Sequence, residues 1–193
     1  VIESVDRTDR EGGKGTGYVV RADGVIATNF HVIGEHRNFR VQLADGKSYR
    51  PESILAVDRD KDLALVKIKR DGLTPLPLGD STNLVPGQAI LSLGNPLGFD
   101  FSVGQGVVAA LRELEGVPMI QVAITIEPGS SGSPVLDMQG KVVGTIAIKS
   151  GGAMGFAIPV NDLKQLMSRT NPIPMKRWLT IGALDPKEWE PVM

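Results

Sequence analysis

Helices are excluded from most of this chain by how often it turns. Between Val1 and Ile158 the apolar residues come in short runs rich in Val, Ile and Leu, and nearly every run is closed by Gly, Pro, Asn or Asp. Such runs, with turn formers at roughly 8 to 12 residues, predict an all-β sandwich or a pair of barrels. Candidate strands are Val1–Val5, Gly17–Val20, Val25–Phe30, Phe39–Leu43, Ser48–Val57, Leu63–Ile68, Ala89–Leu93, Gly104–Leu111, Met119–Ile126, Lys141–Ile148 and Gly155–Ile158. Ala22-Asp23-Gly24 and Ala44-Asp45-Gly46 supply hairpin turns, and Gly94-Asn95-Pro96-Leu97-Gly98 and Ser150-Gly151-Gly152 supply further turns. Asp6–Lys14 is polar and glycine-bearing and reads as a loop.

Two interruptions divide the pattern. Arg70–Gln88 carries Pro75, Pro77 and Pro86 and reads as a crossing between two halves. After Pro159, Leu163, Leu166 and Met167 fall at i, i+3 and i+4, with Asn161 as N-cap. That predicts a short amphipathic helix whose stripe packs and carries no chemistry. The expected architecture is two packed antiparallel β-barrels with a short C-terminal helix. The N-terminal barrel covers about residues 1–70, the linker 71–88, the C-terminal barrel 89–160 and the helix 161–169. Residues 171–193 read as a linker or tail, in which Arg177–Ile181 looks like the beginning of a further element or domain.

Composition narrows the function classes. Among 193 residues the net charge is −1, which gives no electrostatic reason to expect nucleic acid or an anionic membrane. The absence of cysteine removes disulfides and thiolate chemistry, and two histidines make a histidine-rich metal site a poor expectation. No apolar run approaches the roughly 18 residues a membrane-spanning helix needs. No signal peptide is visible, and the first residue, Val1, reads as the trace of an upstream leader or domain. Gly13-Lys14-Gly15-Thr16-Gly17 has the composition of a phosphate-binding loop. Thr8, however, stands where that motif needs its first glycine, and a glycine follows the lysine, so nucleotide binding is set aside.

Chemistry concentrates in Glu127-Pro128-Gly129-Ser130-Ser131-Gly132-Ser133-Pro134, a tight loop between two apolar runs. Glycines on either side of Ser131 let the backbone fold behind the hydroxyl and turn its N–H groups toward one point. A developing oxyanion needs converging N–H groups of that kind. Taken alone, the stretch reads more readily as an ordinary Gly/Ser loop, because such loops are common. His31, in Thr28-Asn29-Phe30-His31-Val32, reads alone as a packed strand-end residue, and His36 as solvated surface. Asp58 and Asp60 read as solvated turn residues. Asp62, set directly against Leu63–Ile68, is the aspartate best placed to be partly buried, and a buried carboxylate needs a partner. Together, His31, Asp62 and Ser131 stand in one of the chain orders used by acyl-transfer triads. Serine needs a base to take its proton, histidine titrates near neutrality, and a carboxylate fixes the histidine tautomer.

Thr28–Val32, Asp62–Ile68 and Pro128–Pro134 together resemble the three active-site blocks of HtrA/Deg-type serine proteases, which belong to the chymotrypsin-like class. Gly94–Gly98 and Gly155-Phe156-Ala157-Ile158-Pro159 are similar to further blocks of that family, so the resemblance spans roughly residues 13–168. It implies a serine endopeptidase, with no cofactor and no metal, that acts on unfolded or misfolded polypeptides outside the cytoplasm. Ser131 would be the nucleophile, His31 the base and Asp62 its orienter. The oxyanion hole would use Gly129 and Ser131, with Ser130 assisting. Thr125 would line the S1 pocket, and Ala147, Ile148 and Lys149 would pair with substrate. The family's usual Asn-Ser-Gly-Gly is here Ser130-Ser131-Gly132-Ser133. A PDZ domain usually follows the protease, and Lys176-Arg177-Trp178-Leu179 is where one would start. The family often trimerises through an N-terminal segment that is short here, which disfavours a trimer and leaves other homo-oligomers open. Two alternatives stand beside this reading: a protease-like module that only holds peptides, and an unrelated β-barrel binder in which His31 and Ser131 lie far apart.

Overall fold

The computed structural model describes residues 1–5, 11–34, 38–94, 102–150 and 154–181. The protein is mostly β, as expected, and its two halves are built differently. In the first half β1 (Ile2–Val5), β2 (Glu11–Gly15), β5 (Asn38–Gln42) and β6 (Ser48–Tyr49) form a sheet in the order β2-β1-β5-β6. A second sheet contains β3 (Tyr18–Arg21), β4 (Val25–Thr28), β7 (Pro51–Asp58) and β8 (Leu63–Ile68). Ile2, Phe39 and Val41 of the first sheet share one core with Ile26, Ile54, Ala64 and Val66 of the second. These strands alternate as the pleat requires: Asn38–Gln42 buries Phe39 and Val41 and leaves its other residues partly open.

The second half closes on itself. Its strands are β9 (Ala89–Gly94), β10 (Ser102–Leu114), β11 (Val117–Ala123), β12 (Pro134–Leu136), β13 (Val142–Ser150) and β14 (Met154–Pro159). They form a closed barrel in the order β10-β11-β14-β13-β12-β9, filled by Ile90, Val108, Ile120, Val122, Val135, Val143, Ile146 and Ala157. Closure gives every strand a partner on both sides over part of its length, so a free edge is left only where a strand overhangs its neighbour. A third cluster joins the halves, with Tyr18, Leu63 and Leu65 from the first meeting Met119, Leu136, Val142 and Ile158 from the second.

Several elements depart from the sequence reading, each for a tertiary reason. Glu11–Gly15, read as loop, is a strand because β1 supplies a partner ladder that its composition cannot announce. The strand expected to run to Phe30 stops at Thr28, and Phe30–Gly34 forms helix α1. The strand expected to reach Ile126 leaves the ladder after Ala123, although Ile124 and Ile126 stay buried. Pro134–Leu136 is a strand that the Gly/Ser loop obscured. Helix α2 (Val160–Ser168) begins one residue earlier than expected, with Pro159 at the N-cap position and no side-chain cap. Asn161 therefore does not cap the helix; its amide donates to Asp80 Oδ1 at 2.9 Å and to Thr82 Oγ1 at 3.0 Å. The stretch read as linker and tail returns to the first half. There β15 (Ile173–Pro174) pairs with β7, and α3 (Met175–Ile181) places Trp178, 3% exposed, in the first-half core. His36, residues 95–98 and residues 151–152 lie outside the described residues.

Candidate active site

Two of the three expected catalytic residues meet directly. His31 is the second residue of α1, and Asp62 ends the tight turn between β7 and β8. Both carboxylate oxygens of Asp62 are used on His31. The His31 N–H donates to Oδ1 at 2.8 Å, and Oδ2 lies 2.6 Å from ring Nδ1. The Asp62 carbonyl is used as well. It accepts from the Phe30 N–H at 3.2 Å and from Asn29 Nδ2 at 2.9 Å. The open N-terminal N–H groups of a helix are ready partners for such oxygens. Asp62 has φ 53°, a left-handed conformation that Asp tolerates better than most residues. The side chains of His31 and Asp62 are 40% and 26% exposed, so the ring is open to a substrate while its carboxylate partner is more sheltered.

Ser131 is half-buried in the loop between β11 and β12. The loop is fastened to the first half at two adjacent points. Thr16 donates its N–H to Ser131 O at 2.7 Å and its hydroxyl to Gly129 O at 2.8 Å. Thr28 in turn donates to Thr16 O at 2.7 Å. Gly132 has φ 83°, and a Cβ there would collide with Thr16 O and Thr28 Oγ1, so only glycine fits. A Cβ on Gly15 would lie 2.6 Å from Val32 Cγ1 and 3.3 Å from Ser131 O. The Ser131 backbone and the helix carrying His31 are thus neighbours across Gly15. Gly129 also has positive φ, 95°. Among the described residues, no protein acceptor takes the N–H of Gly129 or of Ser131.

The adjoining residues divide. Thr125 is exposed between the buried Ile124 and Ile126. Ala147 is buried at a bulge in β13, and Ile148 and Lys149 pair with Phe156 and Gly155 of β14. On its other side β13 pairs with β12 only as far as Thr145. Ile146 then exchanges backbone bonds with the serine loop, donating to Ser133 O at 2.8 Å and accepting from Gly132 N–H at 2.9 Å. Beyond it, no strand among the described residues pairs with the side of Ala147–Ser150 away from β14. Ser130 makes a local turn, its N–H donating to Glu127 O at 3.0 Å. Ser133 is 1% exposed and its hydroxyl has no partner; Asn29 Oδ1 is likewise buried and unpaired. Sequence reasoning missed Thr16, Thr28 and Asn29. Thr16 lay inside the string dismissed as a failed phosphate loop, and nothing local marks it as an anchor 113 residues from Gly129.

A two-part β fold with a His–Asp pair on one half, and a glycine-framed serine loop of the other half fastened beside it, defines the chymotrypsin-like class. The family model of the trypsin-like peptidase domain matches residues 15–144. A probable periplasmic DegP-like serine endoprotease of Pseudomonas fluorescens is 41% identical over 165 residues, covering 81% of this chain and 34% of that protein. One from a Marinomonas species is 42% identical over 154 residues, covering 75% and 33%. A solved structure of the HtrA-type protease AlgW with a decapeptide superposes with a TM-score of 0.77 at 29% identity, covering 82% of this chain and 52% of that one. The chain belongs to the trypsin-like peptidase family, as an HtrA/Deg-type serine protease domain. It spans about a third of the length of the curated relatives it matches.

Proposed function

We propose that the domain is a serine endopeptidase that works through an acyl-enzyme on Ser131. The observation that carries this reading is the two-point grip of Asp62 on His31. With Nδ1–H donating to Oδ2, the imidazole is held in one tautomer and Nε2 keeps its lone pair. Nε2 then takes the proton as the Ser131 hydroxyl attacks the scissile carbonyl, and returns it to the leaving amine as the C–N bond breaks. Water repeats the sequence and releases the acid. The negative charge on the tetrahedral oxygen is met by the two uncommitted N–H groups of Gly129 and Ser131, the Ser130 N–H being committed to Glu127 O. No cofactor enters this scheme.

The free side of Ala147–Lys149 would take substrate backbone by strand addition, which supplies affinity without sequence preference. Selectivity then falls to the S1 pocket, where Thr125 is neutral and Ala147 is apolar. A Lys or Arg side chain there would find no carboxylate to pair with among these residues. Cleavage after small or medium aliphatic residues is the expected result of a peptide-library digest read by mass spectrometry. A dominant Lys or Arg at P1 would overturn it. The relatives are described as periplasmic, which supports an extracytoplasmic compartment; the substrates we propose are unfolded or misfolded polypeptides. Labelling with a fluorophosphonate and mapping the modified residue tests the central reading: the adduct is expected on Ser131. A second reading, a module that binds peptides without cleaving them, draws support from the unpaired hydroxyl of Ser133 beneath the loop. It predicts peptide binding with no adduct.

A further inference from the structure

We propose that the ion pair between Lys61 and Asp162 is a positioning tether for Asp62, through which helix α2 sets the aim of the carboxylate on His31. The inference rests on reading Asp62 and His31 as triad members. Left-handed backbone at a non-glycine residue is unfavourable and persists where the surroundings enforce it. At Asp62 this conformation is what turns the carboxylate and the carbonyl together onto α1. Within the turn, the Lys61 N–H donates to Asp58 Oδ1 at 2.9 Å and the Asp62 N–H to Arg59 O at 3.2 Å. These bonds shape the turn but do not anchor it to anything outside itself.

The anchor reaches across the molecule from the adjacent residue. Lys61 Nζ lies 2.6 Å from Asp162 Oδ1, a bond between residues 101 positions apart. The side chains are only 28% and 12% exposed, so the pair is shielded compared with an ordinary surface pair. Asp162 sits in the first turn of α2, flanked by the fully buried Val160 and Leu163. A single peptide plane separates Lys61 from Asp62, so a turn released from α2 can relax toward a less strained backbone at Asp62. The rest of the hold on this turn, Asp62's own bonds to Asn29, Phe30 and His31 together with the Arg59 guanidinium 5.0 Å over the Phe30 ring, has one target. It bears on α1, the element being positioned, whereas Lys61 reaches an outside reference. A merely structural pair would staple α2 to the first half and leave the His31–Asp62 contact untouched.

The test is a cycle on the full chain: Lys61→Met, Asp162→Asn, and the exchange Lys61→Glu with Asp162→Lys. Lys61→Met keeps the helix's acidic first turn, and Asp162→Asn keeps the side-chain shape, so at least one is expected to fold. Peptide kcat and KM are measured per fluorophosphonate-titrated site, and the His31 Nδ1 proton is followed by NMR as a direct reporter of its bond to Asp62. Each single change is expected to lower kcat by about tenfold, with KM within about twofold, because misaimed catalytic groups lose rate rather than binding. The His31 resonance is expected to shift or broaden, and the exchange to recover most of both effects. Folded single variants with wild-type kcat per site and an unmoved resonance would overturn the tether, whatever their melting temperature. A wild-type chain that neither labels nor cleaves would overturn the peptidase reading instead, and the resonance would still decide the tether.

Discussion

At the scale of single residues, three serines crowd one loop, and their surroundings separate their roles. Ser131 is half-buried with its N–H uncommitted, Ser130 is spent on a local turn, and Ser133 is sealed under the loop. Ser131→Ala is therefore expected to abolish fluorophosphonate labelling with little loss of stability, while Ser130→Ala retains it. Ser133→Ala is expected to retain labelling and to raise stability by up to about 1 kcal/mol in a denaturant titration, since it deletes a buried hydroxyl without a partner. Asp62→Asn is expected to keep the fold, because Asn also tolerates left-handed backbone. It should nevertheless lower kcat by up to about 10⁴-fold by stabilising the wrong histidine tautomer. A loss under tenfold would mean that the contact with His31 Nδ1 does not orient the ring.

At the scale of elements, helix α2 is clasped to the crossing segment by polar side chains. Asn161 bonds Asp80 and Thr82, and its N–H donates to Ser81 Oγ at 3.3 Å. The Thr82 backbone N–H, and then the Asn161 and Thr82 side chains, hold the Asp80 carboxyl down at about 2, below its ordinary 3.8. A carboxylate depressed in the folded state adds stability above its unfolded value, and that stability is lost as pH falls through the folded value. The stability that Asp80 adds through this clasp is thus fully present above about pH 4 and lost between about pH 4 and 2. Asp80 is fully exposed, so the effect is one of slope rather than size. Asp80→Asn should flatten the fall of melting temperature across that window, and an unchanged slope would count against the clasp.

At the scale of the whole molecule, the apolar contact between the halves also holds a buried polar bond. The Tyr18 hydroxyl, from β3, lies 2.8 Å from Thr145 Oγ1, from β13. Burial pushes the Tyr18 phenol well above its ordinary value, so it stays a neutral hydrogen-bonding group throughout the working pH range. Tyr18→Phe would leave Thr145 buried without its partner. It is expected to cost about 1–2 kcal/mol in a denaturant titration, and Thr145→Val made on top of it should recover part of that loss. Thr145 is also the last residue of β13 that pairs with β12 before the strand turns to the serine loop. The contact between halves and the seat of the loop therefore share one residue.

What the sequence determined by itself was local: where strands sit, where turns fall, and which residue types carry chemistry. Val, Ile and Leu runs closed by Gly, Pro and Asp favour extended segments, and type and chain order single out His31, Asp62 and Ser131 as candidates. The tertiary structure decided everything that depends on a partner distant along the chain. Glu11–Gly15 became a strand only because β1 lies beside it, and Asn161 left its capping role because Asp80 and Thr82 were within reach. Trp178 entered the first-half core because β15 found an edge on β7. The left-handed backbone of Asp62, and the fastening of Ser131 and Gly129 to Thr16, have no signature in any short window. Periodicity and composition record what a segment prefers, whereas a hydrogen bond across 113 residues records where the folded chain has put its other end.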